Sequence, residues 1–319
     1  MKVLTKEDIN NISHWLFSNG RDVDVARYNC LFYKDPKELV LSAITLYQNE
    51  DGGFGKGIEP DLQNQNSNVI ATATVLEILQ ECSFKYDADD EFFNEIITSC
   101  MKWLYNKAPS FENRWTSIVR ENNDFPCAEW WKYKDEKYAT MPFYPTPSLI
   151  GQTLLFTSPT SSYYQKAEKL LVSVLKQYFT TNVSDKYSLH SFYLLFKALK
   201  EINYSNDFIE ECYEKWLQDV NYALTRDKEK FSSPSSCLIF DIVDDDSLLK
   251  GMFHEEIEAN LDYIIDSRTN TGMWIPNWKW GNNDPYYDIA CILWASHLAV
   301  KNLKILYHFD RLEKEVFDE

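Results

Sequence analysis

The run Gln48-Asn49-Glu50-Asp51-Gly52-Gly53-Phe54-Gly55 closes one helical pattern and precedes another. Leu39, Val40, Ala43, Ile44 and Tyr47 fall on one stripe of a helix that stops at Gln48. Glycines at 52, 53, 55 and 57 then break that helix, because only glycine takes left-handed backbone angles at little cost. A weaker copy lies near the end of the chain, where Ile257, Leu261, Ile264 and Ile265 lead to Asp266 and then Gly272-Met273-Trp274. A recurring unit of helix, glycine turn and aromatic limits the possible folds sharply. Such a unit buries its apolar face only by stacking on its neighbours.

Two kinds of helical pattern alternate along the chain. Amphipathic ones are expected near 6–18, 36–48, 90–106, 162–179, 206–225 and 250–267. Patterns that are apolar nearly all round are expected near 21–33, 67–82, 146–157, 187–202, 234–243 and 285–303, and must be covered on several sides. No strand is expected. Segments running from a buried to an amphipathic helix are short, whereas those running the other way, such as 49–66, 107–145 and 268–284, are mostly long. In an alternating helical barrel the long segments share one face, and function concentrates there. Chemistry is therefore expected around the N-terminal ends of the buried helices, where the helix dipole is positive. All of this points to a single all-α domain over residues 1–319.

Composition removes several classes of function. Formal net charge is −17, with no Lys/Arg run long enough to follow a phosphate backbone, so neither nucleic acid nor an anionic membrane surface is expected as a partner. The seven cysteines are odd in number, widely spaced and free of any CxxC pair, which points to a reducing compartment. The first ten residues carry charges and no apolar signal segment, and no apolar run approaches the ~20 residues of a spanning helix. Together these give the expectation of a cytoplasmic protein. The five histidines show no HxxxH or HxH spacing, and no cofactor or metal is implied. The 10 Trp, 20 Tyr and 19 Phe supply core area and material for the wall of a ligand site.

Alternating helices with Gln48, Asp51, Gly52, Gly53 and Phe54 at an amphipathic-to-buried turn resemble the α/α toroid superfamily. Asp266, Gly272 and Trp274 carry the same resemblance less closely, and Asn113-Arg114-Trp115, Asp185-Lys186-Tyr187 and Lys230-Phe231 look like degenerate copies. Terpenoid cyclases, protein prenyltransferase β subunits and complement-type thioester domains belong to this superfamily. The run GGFGKGIEPDL also looks like that of uncharacterised bacterial proteins of the same fold. The resemblance implies an (α/α)6 toroid of outer and inner helices, and a terpenoid cyclase- or prenyltransferase-like protein. No cysteine has Asp two residues before it, so the prenyltransferase zinc site is missing in its usual form, and no Cys-Gly-Glu-Gln thioester run occurs.

Asp87-Ala88-Asp89-Asp90 spells the D-x-D-D acid motif of some terpenoid cyclases, but it precedes the apolar run Phe92, Phe93, Ile96, Ile97 and reads as a helix cap. Asp244-Asp245-Asp246 reads as a solvated turn. Glu59 and Asp61 are better placed after the glycine turn. Either they act as general acid and base, or they tie their loop to backbone amides. His190 opens a buried helix and is either a proton carrier or a satisfied core histidine. Trp130, Trp131, Tyr144, Trp278 and Trp280 form an aromatic wall or pin long loops to the core, while Trp274 reads as structural. Asp284 reads as the N-cap of the last buried helix, with Asp288 one turn in and facing the cavity. Arg21, Asp24 and Arg27 either bind an anion or make an exposed ion-pair network.

Three functions stay open on this sequence. The first is a terpenoid cyclase- or prenyltransferase-like site with Glu59 and Asp61 in a Trp/Tyr-lined cavity. The second is a carbohydrate-active hydrolase or lyase on a six-hairpin barrel. The third is a non-catalytic module that holds a small-molecule, glycan or peptide ligand.

Overall fold

The computed structural model describes residues 1–134, 143–281, 284–313 and 317. Among these the fold is all-α, with twelve helices and one two-stranded hairpin. The helices are α1 (Lys6–Asn19), α2 (Asp22–Phe32), α3 (Glu38–Thr45), α4 (Val69–Glu81), α5 (Glu91–Asn106), α6 (Thr146–Phe156), α7 (Ser162–Phe179), α8 (Lys186–Glu201), α9 (Asp207–Ala223), α10 (Ile239–Ile242), α11 (His254–Asp266) and α12 (Tyr287–His308). Each falls within one of the expected segments or within a few residues of it. The apolar periodicity is strong, and polar side chains close many of the ends. Asn68 caps α4, Asp90 caps α5 and Asp185 caps α8, each accepting a hydrogen bond from the backbone N–H three residues on, at 2.8–3.0 Å. Each such cap contributes about 1 kcal/mol. Asp90 therefore does the work expected of its acidic run.

The chain forms two compact units, Ile44–Ala223 and Met1–Ala43 with Leu224–Glu319. In the first, α6 packs on α8, α7 and α4, and α8 on α9. Every residue of α6 is buried, matching its apolar composition, whereas α7 and α9 bury one face each. In the second unit α12 packs on α1 and α2, and α10 on α11. There the first and last segments of the chain pair side by side, Leu4 N–H donating to the Arg311 carbonyl and Glu313 N–H to the Leu4 carbonyl, both at 2.9 Å. The buried Arg311 guanidinium holds Glu258 and Asp262 beside them, at 2.6 and 2.9 Å.

The sequence repeat becomes one turn made twice. Asn49 N–H donates to the Gly53 carbonyl and Gly52 N–H to the Asn49 carbonyl, both at 2.9 Å. Thr269, Met273 and Gly272 repeat both bonds at 2.8 and 2.9 Å. Gly52 and Gly272 take φ of +94° and +83°, the left-handed region that favours glycine. Trp274 also behaves as expected, buried and donating its indole N–H to the Ile264 carbonyl at 2.8 Å. Trp115 in the degenerate copy Asn113-Arg114-Trp115 makes the matching bond to Leu104 at 2.9 Å.

Several details differ from expectation. Strands β1 (Ser110–Phe111) and β2 (Arg114–Trp115) pair antiparallel about Glu112 and Asn113, both at positive φ. Two residues per strand are too few to show as alternation in sequence. Near 234–243 only four residues are helical, because 233–236 forms a serine- and proline-rich turn instead. Asp284 does not cap α12. It accepts from Tyr286 N–H at 3.0 Å in a turn before the helix, which starts at Tyr287. The aspartates at 244–246 are not merely solvated, since Asp244 pairs with Lys304 and Asp246 with His308. Finally, α12 is long and apolar enough to cross a membrane by length and composition. About half of it is buried within the fold, so it gives no clear membrane span.

The long segment after α5 is fastened to the acidic loop by buried amides. Fully buried Asn122 accepts from Asn64 Nδ2 and donates to the Trp131 carbonyl, both at 3.0 Å. Truncating Asn122 to alanine strands both partners, so a loss of about 1–3 kcal/mol is expected in urea unfolding. Protease cleavage near residues 120–134 should rise with it.

Candidate functional site

Glu59, Asp61, Trp130, Trp131, Tyr144 and His190 lie in the unit Ile44–Ala223, whereas Arg27, Trp278, Trp280 and Asp288 lie in the other. Each set is described within its own unit.

Half-buried Glu59 stands just beyond the glycine turn, where close packing fixes the path of the chain. A Cβ on Gly53 would meet the Trp103 ring at 2.5 Å, and one on Gly55 the Asn66 carbonyl oxygen at 2.3 Å. Glu59 Oε1 accepts from Asp61 N–H at 3.4 Å. That is the loop-tying role foreseen as its alternative. Asp61 is 3 % exposed, and its carbonyl accepts from Ala128 N–H at 2.9 Å. Gln63 N–H bonds the Pro126 carbonyl at 3.0 Å, so the two loops run together. Asp61 is thus part of a loop–loop seam.

The long segment after α5 carries two tryptophans in different settings. Trp130 is 41 % exposed and offers a ring face, whereas Trp131 is buried. The buried indole N–H of Trp131 has no hydrogen-bond partner among the described residues. An unmet buried donor is costly unless something accepts from it.

Several of the polar side chains singled out in sequence gather around Tyr144 and His190. His190, the fifth residue of α8, places Nε2 2.9 Å from Glu77 Oε1 on α4. A carboxylate partner keeps a proton on Nε2 and makes Nδ1 the basic nitrogen of the neutral ring. Tyr144 stands ahead of α6, its ring centroid 6.0 Å from that of Tyr187 on α8. Burial, then the charges of Glu59 and Glu77, then Tyr187, push the Tyr144 phenol well above its ordinary range. It remains a neutral O–H donor at any physiological pH. Glu59, Glu77, Tyr144, Tyr187 and His190 thus come from two loops and two helices. Beneath them a polar layer joins the helices, with Ser191 Oγ accepting from Ser148 N–H at 2.9 Å and Gln80 Nε2 donating to the Leu194 carbonyl at 3.0 Å.

Neither a family model, nor a curated protein, nor a solved structure matches the chain.

Glu77 and Tyr187 were not anticipated. Glu77 had a signal, as the one charged residue in the apolar run Val69–Leu79. It lies past the midpoint of α4. Tyr187 stood out only as the aromatic of the degenerate copy Asp185-Lys186-Tyr187, which pointed to no site.

The other unit holds a second polar cluster. Asp24, fully buried, accepts from Arg21 Nε at 2.6 Å, Arg27 Nη1 at 2.6 Å and Ser296 Oγ at 2.8 Å. Arg27 is 2 % exposed and also lies 3.1 Å from His297 Nδ1. The ion-pair network foreseen for Arg21, Asp24 and Arg27 therefore forms, but buried rather than exposed. Burial opposes the Asp24 charge, yet the two guanidinium groups outweigh it and hold its carboxyl far below the usual range. Trp278 meets Trp294 edge to face at 5.1 Å and accepts from the Tyr287 hydroxyl through its carbonyl at 2.6 Å. Trp280 is 1 % exposed and belongs to the core, whereas Asp288 is exposed in the first turn of α12.

No group of three or more His, Cys, Asp or Glu is arranged to hold a metal among the described residues. A groove between α7 and α9 is lined by Phe179, Glu211, Glu214, Lys215 and Gln218, and includes none of the residues singled out in sequence.

Proposed function

We propose that the chain is an acid–base hydrolase of a polar, sugar-like substrate, built on an (α/α)6 toroid. The alternation of wholly buried and one-faced helices, the repeated glycine turn and the pairing of first and last segments support the toroid. One observation carries the chemistry. Two carboxylates from separate elements, Glu59 and Glu77, bear on Tyr144, and a histidine stands 2.9 Å from Glu77.

Carboxylates in unlike settings divide acid from base work. His190 favours the ionised form of Glu77, which serves as base, while Glu59 gives its proton to the leaving oxygen. Water adds to the sugar carbon as the C–O bond breaks, and Glu77 takes the proton that the water loses. Tyr144 donates a hydrogen bond to a substrate oxygen, and the exposed rings of Trp130 and Tyr187 offer stacking faces. A terpenoid cyclase- or prenyltransferase-like site needs a deep apolar wall with one acid, so the polar groups gathered here favour the sugar reading. A module that only binds has no need of the Glu77–His190 pair.

The test is turnover of an oligosaccharide panel by the wild type, Glu77→Gln, Glu59→Gln and His190→Ala. Either glutamine variant is expected to lose roughly 10²- to 10⁴-fold in kcat with an unchanged urea midpoint. Wild-type turnover that survives both substitutions defeats the reading. Turnover of an isoprenoid diphosphate instead of any sugar restores the prenyl one.

A further inference from the structure

The unit that holds the Asp24 cluster also carries an aromatic socket, filled from within the chain. We propose that this socket docks a phenylalanine presented by a peptide segment of another protein, and that Phe317 is the resident ligand such a segment displaces. The Phe317 ring stacks on Phe32 of α2, with centroids 4.7 Å apart and planes 29° from parallel. Tyr33 at the end of α2 and Tyr307 on α12 meet it edge to face at 5.7 and 5.8 Å. Tyr28 closes the floor at 6.3 Å. Four rings set around one phenylalanine define the chemistry of the occupant as a flat, uncharged aromatic.

The floor holds together without Phe317. Tyr28 is fully buried, Phe32 is nearly so, and their rings lie 5.0 Å apart. The Tyr28 hydroxyl lies 2.6 Å from Ser13 Oγ on α1, and Phe32 meets Tyr307 edge to face at 5.8 Å. The rim, by contrast, is at the surface. Tyr33 is 45 % and Tyr307 54 % exposed with Phe317 in place, and Phe317 itself is only half-buried. A half-buried ring contributes only part of the burial energy of a core phenylalanine, so it leaves at modest cost. The floor it uncovers is already ordered, which favours the entry of a second ring. None of these residues belongs to the proposed hydrolase site.

Titration calorimetry of the full chain with a synthetic peptide of residues 311–319 tests this, in wild type and in Phe317→Ala. The emptied socket is expected to bind the peptide with a Kd of about 0.1 mM. A tethered ligand has an effective concentration of about 1 mM, so wild type should bind roughly tenfold more weakly. The same peptide with alanine in place of its phenylalanine should not bind. Adding Tyr307→Ala to the Phe317→Ala chain should weaken binding about fivefold. Absence of binding to a Phe317→Ala chain that still unfolds cooperatively in urea overturns the inference. Equal binding by wild type and variant, or by the alanine peptide, does the same. Loss of cooperative unfolding in Phe317→Ala also overturns it, because the ring is then part of the core. Wild type is expected to sediment as a monomer. A dimer that Phe317→Ala abolishes would make a second copy the occupant and defeat docking of another protein.

Discussion

Replacing Gly52 by alanine is expected to cost about 3–5 kcal/mol, while the same change at Gly272 costs about 1 kcal/mol. Both glycines sit at positive φ in the same hydrogen-bonded turn, so an alanine in either place pays the left-handed strain. Only Gly52 is also walled in. Its Cβ would lie 2.3 Å from the Ser99 carbonyl oxygen, a backbone atom that cannot swing away, whereas nothing stands within 4 Å at Gly272. The difference between the two variants isolates packing from conformation, because the strain is common to both. Urea midpoints measure it. Equal losses at the two sites would show that the packing of the turn against α5 contributes little.

Asp24→Asn is the second large effect, with an expected loss of about 3–5 kcal/mol. Asparagine keeps the shape of the side chain but leaves two buried guanidinium groups without the carboxylate that Arg21, Arg27 and Ser296 all donate to. The loss should depend on pH in one direction. Folded Asp24 holds its charge to a much lower pH than an unfolded aspartate, whose pKa is about 3.9. Its contribution is therefore complete above that value and fades as pH falls below it, when the unfolded chain takes up the proton first. Urea unfolding from pH 7 downward should show wild type and variant well separated at neutrality and converging below about pH 4. A constant gap across that range would mean that packing, rather than charge, sets the cost.

Much of the helical layout was legible in the sequence, because apolar spacing, caps and glycine breaks are local signals. Asn68, Asp90 and Asp185 act within one turn of their own position, and the Gly52 and Gly272 turns follow from conformational freedom alone. Structural roles for Trp274 and the acidic run at 87–90 followed from the same reasoning. Two-residue strands escaped it, being too short to display a period, and the helix expected near 234–243 shrank to four residues.

The candidate site was legible only in pieces. Glu59, Tyr144 and His190 stood out for their positions beside turns and helix starts, but nothing local joins them. Glu77 lies 113 positions from His190 in the chain, and their hydrogen bond exists only because α4 and α8 belong to one packed unit. Likewise, composition around Arg21, Asp24 and Arg27 announces an ion-pair network, while its burial depends on Ser296 and His297 arriving from α12. Periodicity and backbone freedom act over a few residues, so the sequence alone determined where helices begin, turn and end. Desolvation and charge pairing act through space, so only the tertiary structure decided which acids share a neighbour and which arginines are shut away from water.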